Sequence, residues 1–285
     1  MRHAAHGILR TKHLSESARV ELSGTAVSGH DDALIGYSGF VGGSLARKRS
    51  FGSVYNSSNI AEIRGRTFDT VVCAGVSAEK WRANRDPAAD LAAIGRLWSS
   101  LREASARKLI LISTIDVYPD PVGVDETTPI TPIESQPYGK HRYELEARAR
   151  DHFDSLVMRL PGLFGKGLKK NALFDLLHSN ETERIDSRGV FQFYDVERLA
   201  GDIDTATGHG FSLLNVATEP MSVEEVARDC FGETFVNHVV EKPARYDMRS
   251  IHAGAFGGRD GYLISRTEVK DSLRAWVSSE RESRK

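Results

Sequence analysis

Short runs of aliphatic and β-branched residues recur along the chain. They alternate with stretches in which apolar positions return every three or four residues. The runs "ALIGY" (from Ala33), "SVYN" (Ser53), "TVVCAG" (Thr70), "KLILIST" (Lys108), "SLVMRLPG" (Ser155) and "FSLLNVA" (Phe211) predict strands. Between them, "GGSLARKR", "DPAADLAAIGRLWSSLREAS", "YGKHRYELEARARDHF" and "NALFDLLHS" predict helices. The third carries Glu144–Arg148 and Glu146–Arg150 at the favourable i,i+4 spacing for ion pairs. Ser222 and Glu225 form a capping-box pattern that opens a further helix. Near-continuous apolar strands alternating with helices predict an α/β fold with a parallel sheet covered on both faces. After Gly165 the alternation loosens, through "KGLKK", "SNETERIDSRG" and a loop-rich tail containing "HAGAFGGRDGY", which predicts a smaller irregular lobe.

The bulk numbers remove several classes of function. At 285 residues, 40% hydrophobic and 27% charged, with formal net charge −1, the chain has the composition of a globular protein. It lacks the basic footprint of a dedicated nucleic-acid or membrane-surface protein. No run approaches the ~20 apolar residues of a spanning helix. The first thirty residues lack the apolar core of a secretory signal and read as a leader or an extra local element. Two cysteines cannot build a disulfide framework; Cys73, inside an apolar run, reads as a buried hydrophobe, and a reducing cytoplasmic setting is expected. The ten histidines form no cluster with Cys or Asp at ligand spacing, so no metal site is expected.

The stretch "ALIGYSGFVGGSL" places Gly36, Gly39 and Gly42 between a strand and a helix. Glycines there permit a tight turn, close approach of backbone to a pyrophosphate, and close packing of helix on strand. The helix start then offers N–H groups to phosphate. In this setting Gly36, Ser38, Gly39, Phe40, Val41 and Gly42 are candidates for dinucleotide binding, although the same pattern also serves a purely structural turn. The second strand ends in Asn56 and Ser57, with no carboxylate to bond an adenosine ribose. With Arg47, Lys48 and Arg49 close in sequence, that end permits NADP as well as NAD.

Downstream, "GYSGFVG", "VVCAGV", "ISTIDVY", "YGKHR", "MRLPGLFGKG", "FQFYDVERLA" and "LLNVATEPMSVEEVA" follow in order over roughly residues 32 to 275. Together they make the chain resemble the extended short-chain dehydrogenase/reductases, the group of nucleotide-sugar epimerases, dehydratases and reductases. The resemblance implies a Rossmann-type doubly wound core over 31–165 and about 190–218. It also implies a small C-terminal substrate lobe over about 166–189 and 219–285. Cofactor contacts implied further along the chain are Ala74, Gly75 and Pro161. Thr114 matches the hydroxyl that bonds the reacting oxygen, and Tyr138 matches the catalytic acid/base. Arg142 stands where the family has lysine.

That replacement leaves three readings open. A cation within a few ångströms favours phenolate, lowering a pKa near ~10 by roughly 1–3 units. Guanidinium supplies that charge but releases no proton. Activity then continues with a modified relay, or the protein binds cofactor and is catalytically weak or inactive, or Lys140 or His141 takes over through a shifted helix. For His141 an ordinary surface position is the plainer expectation.

Dehydratases of the family follow the threonine with an Asp–Glu pair, and here Ile115 and Asp116 stand in those places. Ile115 carries no proton, so hydride transfer without elimination is expected: reduction, oxidation or epimerisation on a nucleotide-linked sugar. The short link "SSNIAEIRGRTFD" after the second strand resembles the dTDP-4-dehydrorhamnose reductase side of the family. Candidate substrate residues are Asp116, Trp81, Lys170 and Asn171; Trp81 reads as a pocket aromatic or, more readily, as a hydrophobic brace, and the lysines 166, 169 and 170 equally as a solvated loop. Relatives often begin the "FQFYDVERLA" segment with Arg-Asp, where this chain has Phe191 and Gln192. A homodimer is the assembly that relatives suggest.

Overall fold

The structure, a computed structural model, describes residues 31–131 and 135–284; the expected leader, residues 1–30, lies outside them. The chain enters at β1 (Ala33–Ile35), turns through glycines into α1 (Phe40–Lys48), and returns as β2 (Ser53–Tyr55). A single 3-10 turn, Ile60–Ile63, is all that separates β2 from β3 (Thr67–Cys73). Two helices follow, α2 (Lys80–Arg85) and α3 (Pro87–Leu101), then β4 (Ser105–Thr114), β5 (Val122–Val124), α4 (Pro137–His152) and β6 (Ser155–Leu160). The remainder runs β7 (Gly162–Phe164), α5 (Ala172–His178), β8 (Val190–Phe191), β9 (Phe193–Asp195), α6 (Leu199–Gly208) and β10 (Leu213–Asn215). It ends with β11 (Met221–Ser222), α7 (Val223–Val226), β12 (Asp247–Met248) and α8 (Arg266–Glu282).

Six strands pair in parallel in the order β10-β6-β4-β3-β1-β2. They are the six predicted from the apolar runs. Both sheet faces are buried, and the side chains divide by parity. Leu34, Val72, Ile110, Leu156, Met158 and Leu214 join one apolar cluster with residues of α6, α7 and α8. Ile35, Val71, Cys73, Leu109, Leu111 and Val157 join another with α3 and α4. Each such buried aliphatic side chain stabilises the fold by about 1.5–3 kcal/mol. The strands therefore read as unbroken apolar runs rather than alternating ones. Three two-stranded pairs, β11-β8, β12-β5 and β7-β9, build the loop-rich side of the molecule.

One of the pairs predicted from helical spacing forms in a richer setting. Glu146 does meet Arg150 at 3.3 Å, but its carboxylate is fully buried and its main partner is Arg159, at 2.7 Å, with Ser113 Oγ donating to it as well. A buried carboxylate needs that many donors, because an unpaired charge there costs several kcal/mol. The loop-rich tail also contains α8, which the chain announces with a complete capping box, Ser265 and Glu268, and a buried stripe Val269, Leu273, Trp276, Val277.

Candidate active site

The strand order reverses between β1 and β3: the chain leaves β1 toward β2 on one side and β3 toward β4 on the other. Ligand crevices in doubly wound sheets open outside the strand carboxyl ends at such a point. A cavity of about 350 Å³ lies there, lined by Phe40, Val41, Ala74, Thr114, Asp116, Tyr138, Arg142, Pro161, Lys170 and Asn171, among others. The fold therefore gathers the three expected catalytic residues with part of the expected cofactor and substrate set.

The glycine turn is required by its own packing. Gly36 has φ +89°, and a Cβ there would lie 2.3 Å from the Ala74 carbonyl oxygen. A Cβ on Gly42 would lie 2.1 Å from the Gly36 carbonyl oxygen. Gly75 is similarly tight, its Cβ falling 2.8 Å from the Ile35 side chain. Gly39 caps α1, whose first turn contains no acidic residue, so its N–H groups face an anion without a competing carboxylate. Shape, glycine cradle and helix start fit the pyrophosphate of a dinucleotide. Gly36, Ser38, Gly39 and Gly42 lie around this turn outside the enclosed cavity, and so do Asn56 and Ser57 after β2. Asn56 Nδ2 donates to the Tyr37 hydroxyl at 3.2 Å. The three cations expected near this rim point elsewhere: Arg47 pairs with Glu197 at 2.7 Å, Lys48 with Glu197 at 3.3 Å, and Arg49 with Asp204. Acidic groups in and beside α6 attract them away from the end of β2.

Thr114 closes β4 and caps the short turn Ile115–Val117, its Oγ1 accepting from the Asp116 N–H at 3.2 Å. The helix bearing Tyr138 presses on that turn, and Gly139 makes this possible: a Cβ there would sit 1.8 Å from the Asp116 carbonyl oxygen. Pro137 occupies the first helical position, where its missing N–H costs nothing, and Asn84 accepts from the Tyr138 N–H at 3.0 Å. These contacts aim the buried phenol into the crevice.

Arg142 faces Tyr138 as the spacing predicts, but in an unexpected manner. Its guanidinium carbon lies 3.7 Å from the Tyr138 ring centroid, over the ring face. Its nitrogens are bound to Asp90 at 2.9 and 3.0 Å, to the Ser77 carbonyl at 2.6 Å and to the Tyr138 carbonyl at 2.9 Å. Burial dominates the phenol, raising its pKa above the ordinary value; Arg142, Thr114 and Lys80 act against that rise and Asp116 adds to it. The expected net lowering by Arg142 is thus reversed. His141 is buried rather than on the surface, its Nδ1 2.8 Å from Asp90, and neither it nor Lys140 lines the crevice. The shifted-helix reading is not realised.

Of the substrate candidates, Asn171 lines the crevice but also caps α5, accepting from Phe174 N–H at 3.0 Å while donating to the Leu163 carbonyl at 2.7 Å. Trp81 lies outside the cavity lining, 49% exposed, with the Lys170 ammonium 4.8 Å from its ring centroid. Ile115 is buried among apolar residues, while Asp116 accepts from Lys80 at 2.7 Å and from the Tyr246 hydroxyl at 2.9 Å. Phe191 and Gln192 both line the crevice; Gln192 is tied to both backbone polar groups of Met248, and Phe191 stacks on Tyr246 with centroids 5.4 Å apart. The reading of the sequence missed Lys80, Asp90 and Tyr246. Asp90 had a signal, since it shares a helical stripe with the buried Ile94, Leu97 and Leu101.

Among the described residues no helix is long and apolar enough to cross a membrane. No family model and no curated protein matches the sequence. Solved structures do match it over most of its length. A UDP-glucose 4-epimerase from Thermotoga maritima, determined with UDP-glucose, is 16% identical with a TM-score of 0.69, over 89% of this chain and 99% of that one. RMD from Pseudomonas aeruginosa, complexed with NADPH, is 19% identical with a TM-score of 0.68, over 90% and 100%. A dTDP-4-dehydrorhamnose reductase from Clostridium acetobutylicum is 13% identical with a TM-score of 0.68, over 88% and 99%. With its parallel six-stranded sheet, its glycine turn and its crevice at the strand-order reversal, the chain has a Rossmann-type α/β fold, the fold it shares with these solved structures.

Proposed function

We propose that the protein is an NAD(P)-dependent oxidoreductase or epimerase acting on a hydroxyl or ketone of a nucleotide-linked sugar. The observation that carries this reading is the convergence of Thr114 and Tyr138 on one crevice beside a glycine cradle that tolerates no Cβ. Gly36, Gly39, Gly42 and the start of α1 would hold the pyrophosphate, with Ala74 and Pro161 along the crevice. A dinucleotide held there supplies the hydride chemistry. Tyr138 and Thr114 handle the substrate oxygen: in reduction Thr114 donates a hydrogen bond to it while Tyr138 gives up its proton. At neutral pH the buried phenol carries the proton that this step needs, and the charges around it set how readily it is given up.

A second reading has its own observation. Arg142 is bound to Asp90, Ser77 and the helix backbone, so its charge at the crevice wall is matched by a carboxylate. This favours a cofactor-binding protein that is catalytically weak or inactive, acting as a sensor or scaffold. Incubation with NADH or NADPH and a panel of keto-sugar nucleotides, and with NAD and hydroxyl substrates, separates the two when product mass is followed beside absorbance. Turnover that Tyr138→Phe abolishes, with cofactor binding retained, supports the enzyme. Cofactor binding with no product from any member supports the inactive protein, and turnover unchanged in Tyr138→Phe removes the acid/base assignment.

A further inference from the structure

Lys80, the first residue of α2, reaches across the crevice to Asp116. Its Nζ donates to Asp116 Oδ1 at 2.7 Å and to the Tyr246 hydroxyl at 3.1 Å, and Tyr246 donates to the same carboxylate oxygen at 2.9 Å. Asp116 Oδ2 lies 3.5 Å from Thr114 Oγ1. Phe191, stacked on Tyr246, backs the cluster from the lobe side. Residues from α2, from the turn after β4 and from the segment leading into β12 thus meet at one carboxylate beside the reacting end of the crevice.

The charged groups facing Tyr138 come from three directions. Arg142, on its own helix, is matched by Asp90 from α3, which also holds His141. Asp116 stands on the turn after β4, and Lys80 on α2 matches it. The phenol therefore sits between two ion pairs. The Arg142 pair is closed, since the fork of the guanidinium is filled by Asp90. The Lys80 pair is open to the crevice, the Lys80 side chain being 42% exposed. An unmatched charge a few ångströms from a buried phenol displaces its pKa by roughly 1–3 units. Asp116 alone would disfavour phenolate, and Lys80 offsets part of that effect.

We propose that Lys80 is the positioning residue of this site: it holds Asp116 in place and offsets part of its charge, so that Tyr138 answers to the Lys80–Asp116 pair as well as to Arg142. The proposal rests on reading Tyr138 as the acid/base, yet its test requires no turnover. Protein carrying tyrosine labelled with 13C at the ring Cζ is titrated by NMR, and Tyr138→Phe assigns the resonance. In Asp116→Asn, Lys80 is unmatched and the Tyr138 midpoint falls by about 1–3 pH units. In Asp116→Asn/Lys80→Met it returns toward wild type, whereas in Asp116→Asn/Lys80→Arg it stays low. A merely structural role for Lys80 would move neither double variant apart from the other. Should Asp116→Asn fail to fold, Lys80→Met read against Lys80→Arg decides: the midpoint rises only in the former. Coinciding Asp116→Asn/Lys80→Met and Asp116→Asn/Lys80→Arg titrations, or coinciding Lys80→Met and Lys80→Arg titrations, overturn the proposal. Failure of the enzymatic reading appears separately, as absence of product from the substrate panel with this charge cycle intact.

Discussion

Replacing Arg142 by methionine removes the guanidinium from a nearly closed site. Two of its hydrogen bonds run to Asp90, at 2.9 and 3.0 Å, and both side chains are over 90% buried, with 5% and 7% exposure. Methionine fills much of the volume but leaves the Asp90 carboxylate with His141 alone. Breaking a buried pair on one side costs about 3–5 kcal/mol, mostly from the charge left behind. At about 2–4 °C per kcal/mol for a chain of this size class, Tm should fall by about 10 °C. Arg142→Lys keeps the charge but loses the fork, and should fall between methionine and wild type. Asp90→Asn/Arg142→Met removes both charges and should recover at least about 2 kcal/mol relative to additivity.

The pH dependence adds a sign. Burial pushes the Asp90 pKa up, but Arg142 and His141 outweigh it and hold the carboxyl below its ordinary value. Its contribution is therefore present above the unfolded pKa of about 3.9 and is lost as pH falls through the lower folded value. In Arg142→Met that acid loss should begin at higher pH. Urea unfolding of wild type, Arg142→Met, Arg142→Lys, Asp90→Asn and Asp90→Asn/Arg142→Met across pH 3 to 7 measures all of this. An Arg142→Met variant within about 1 kcal/mol of wild type, with additive Asp90→Asn, would refute the closed-pair reasoning.

Three further outcomes follow from the packing. Gly42→Ala places a Cβ against backbone atoms of Gly36 and Tyr37 that have nowhere to move, so stability should fall by about 1–3 kcal/mol and NADH fluorescence titration should show binding lost. Gly139→Ala drives α4 off the Ile115–Val117 turn, moving Tyr138 and Thr114 apart; turnover should fall at least about tenfold while cofactor affinity changes less, as a kcat against KM comparison would record. Cys73 is wholly buried and its thiol is pushed up to about 11, chiefly by that burial, so a thiol reagent at pH 8 should label it only after unfolding.

The sheet was readable because both of its faces are buried, which makes every strand an apolar run, and the glycine turn because steric demand leaves no substitute at Gly36 or Gly42. Thr114, Tyr138 and Arg142 were found by order and spacing. What escaped was pairing across long separations. Lys80, Asp116 and Tyr246 meet over gaps that no local periodicity encodes, and Tyr246 immediately precedes β12, a two-residue strand in a segment that reads as loop. Asp90 was hidden differently: a carboxylate on an apolar stripe announces a buried partner without naming it. Arg47, Lys48 and Arg49 show the opposite error, since closeness in sequence to the β2 end did not decide where their side chains point. Glu197 and Asp204 did.

The replacement of lysine by arginine at 142 then has a physical reading that needs neither loss nor survival of function in advance. A lysine at this place would put a compact ammonium next to Asp90 and Ser77, where one N–H at a time can be satisfied along each direction. The arginine fork satisfies Asp90 twice and still reaches two carbonyls, which suits a structural tie between α3 and α4. With the helix cation committed in this way, adjustable control over the charge of Tyr138 can come from across the crevice, added to the fixed effect of Arg142. Lys80 supplies a matched charge there, in a side chain that solvent still reaches. Tie and control are separate jobs on separate elements, so Arg142→Lys should register in unfolding and Lys80→Met in the titration of the phenol.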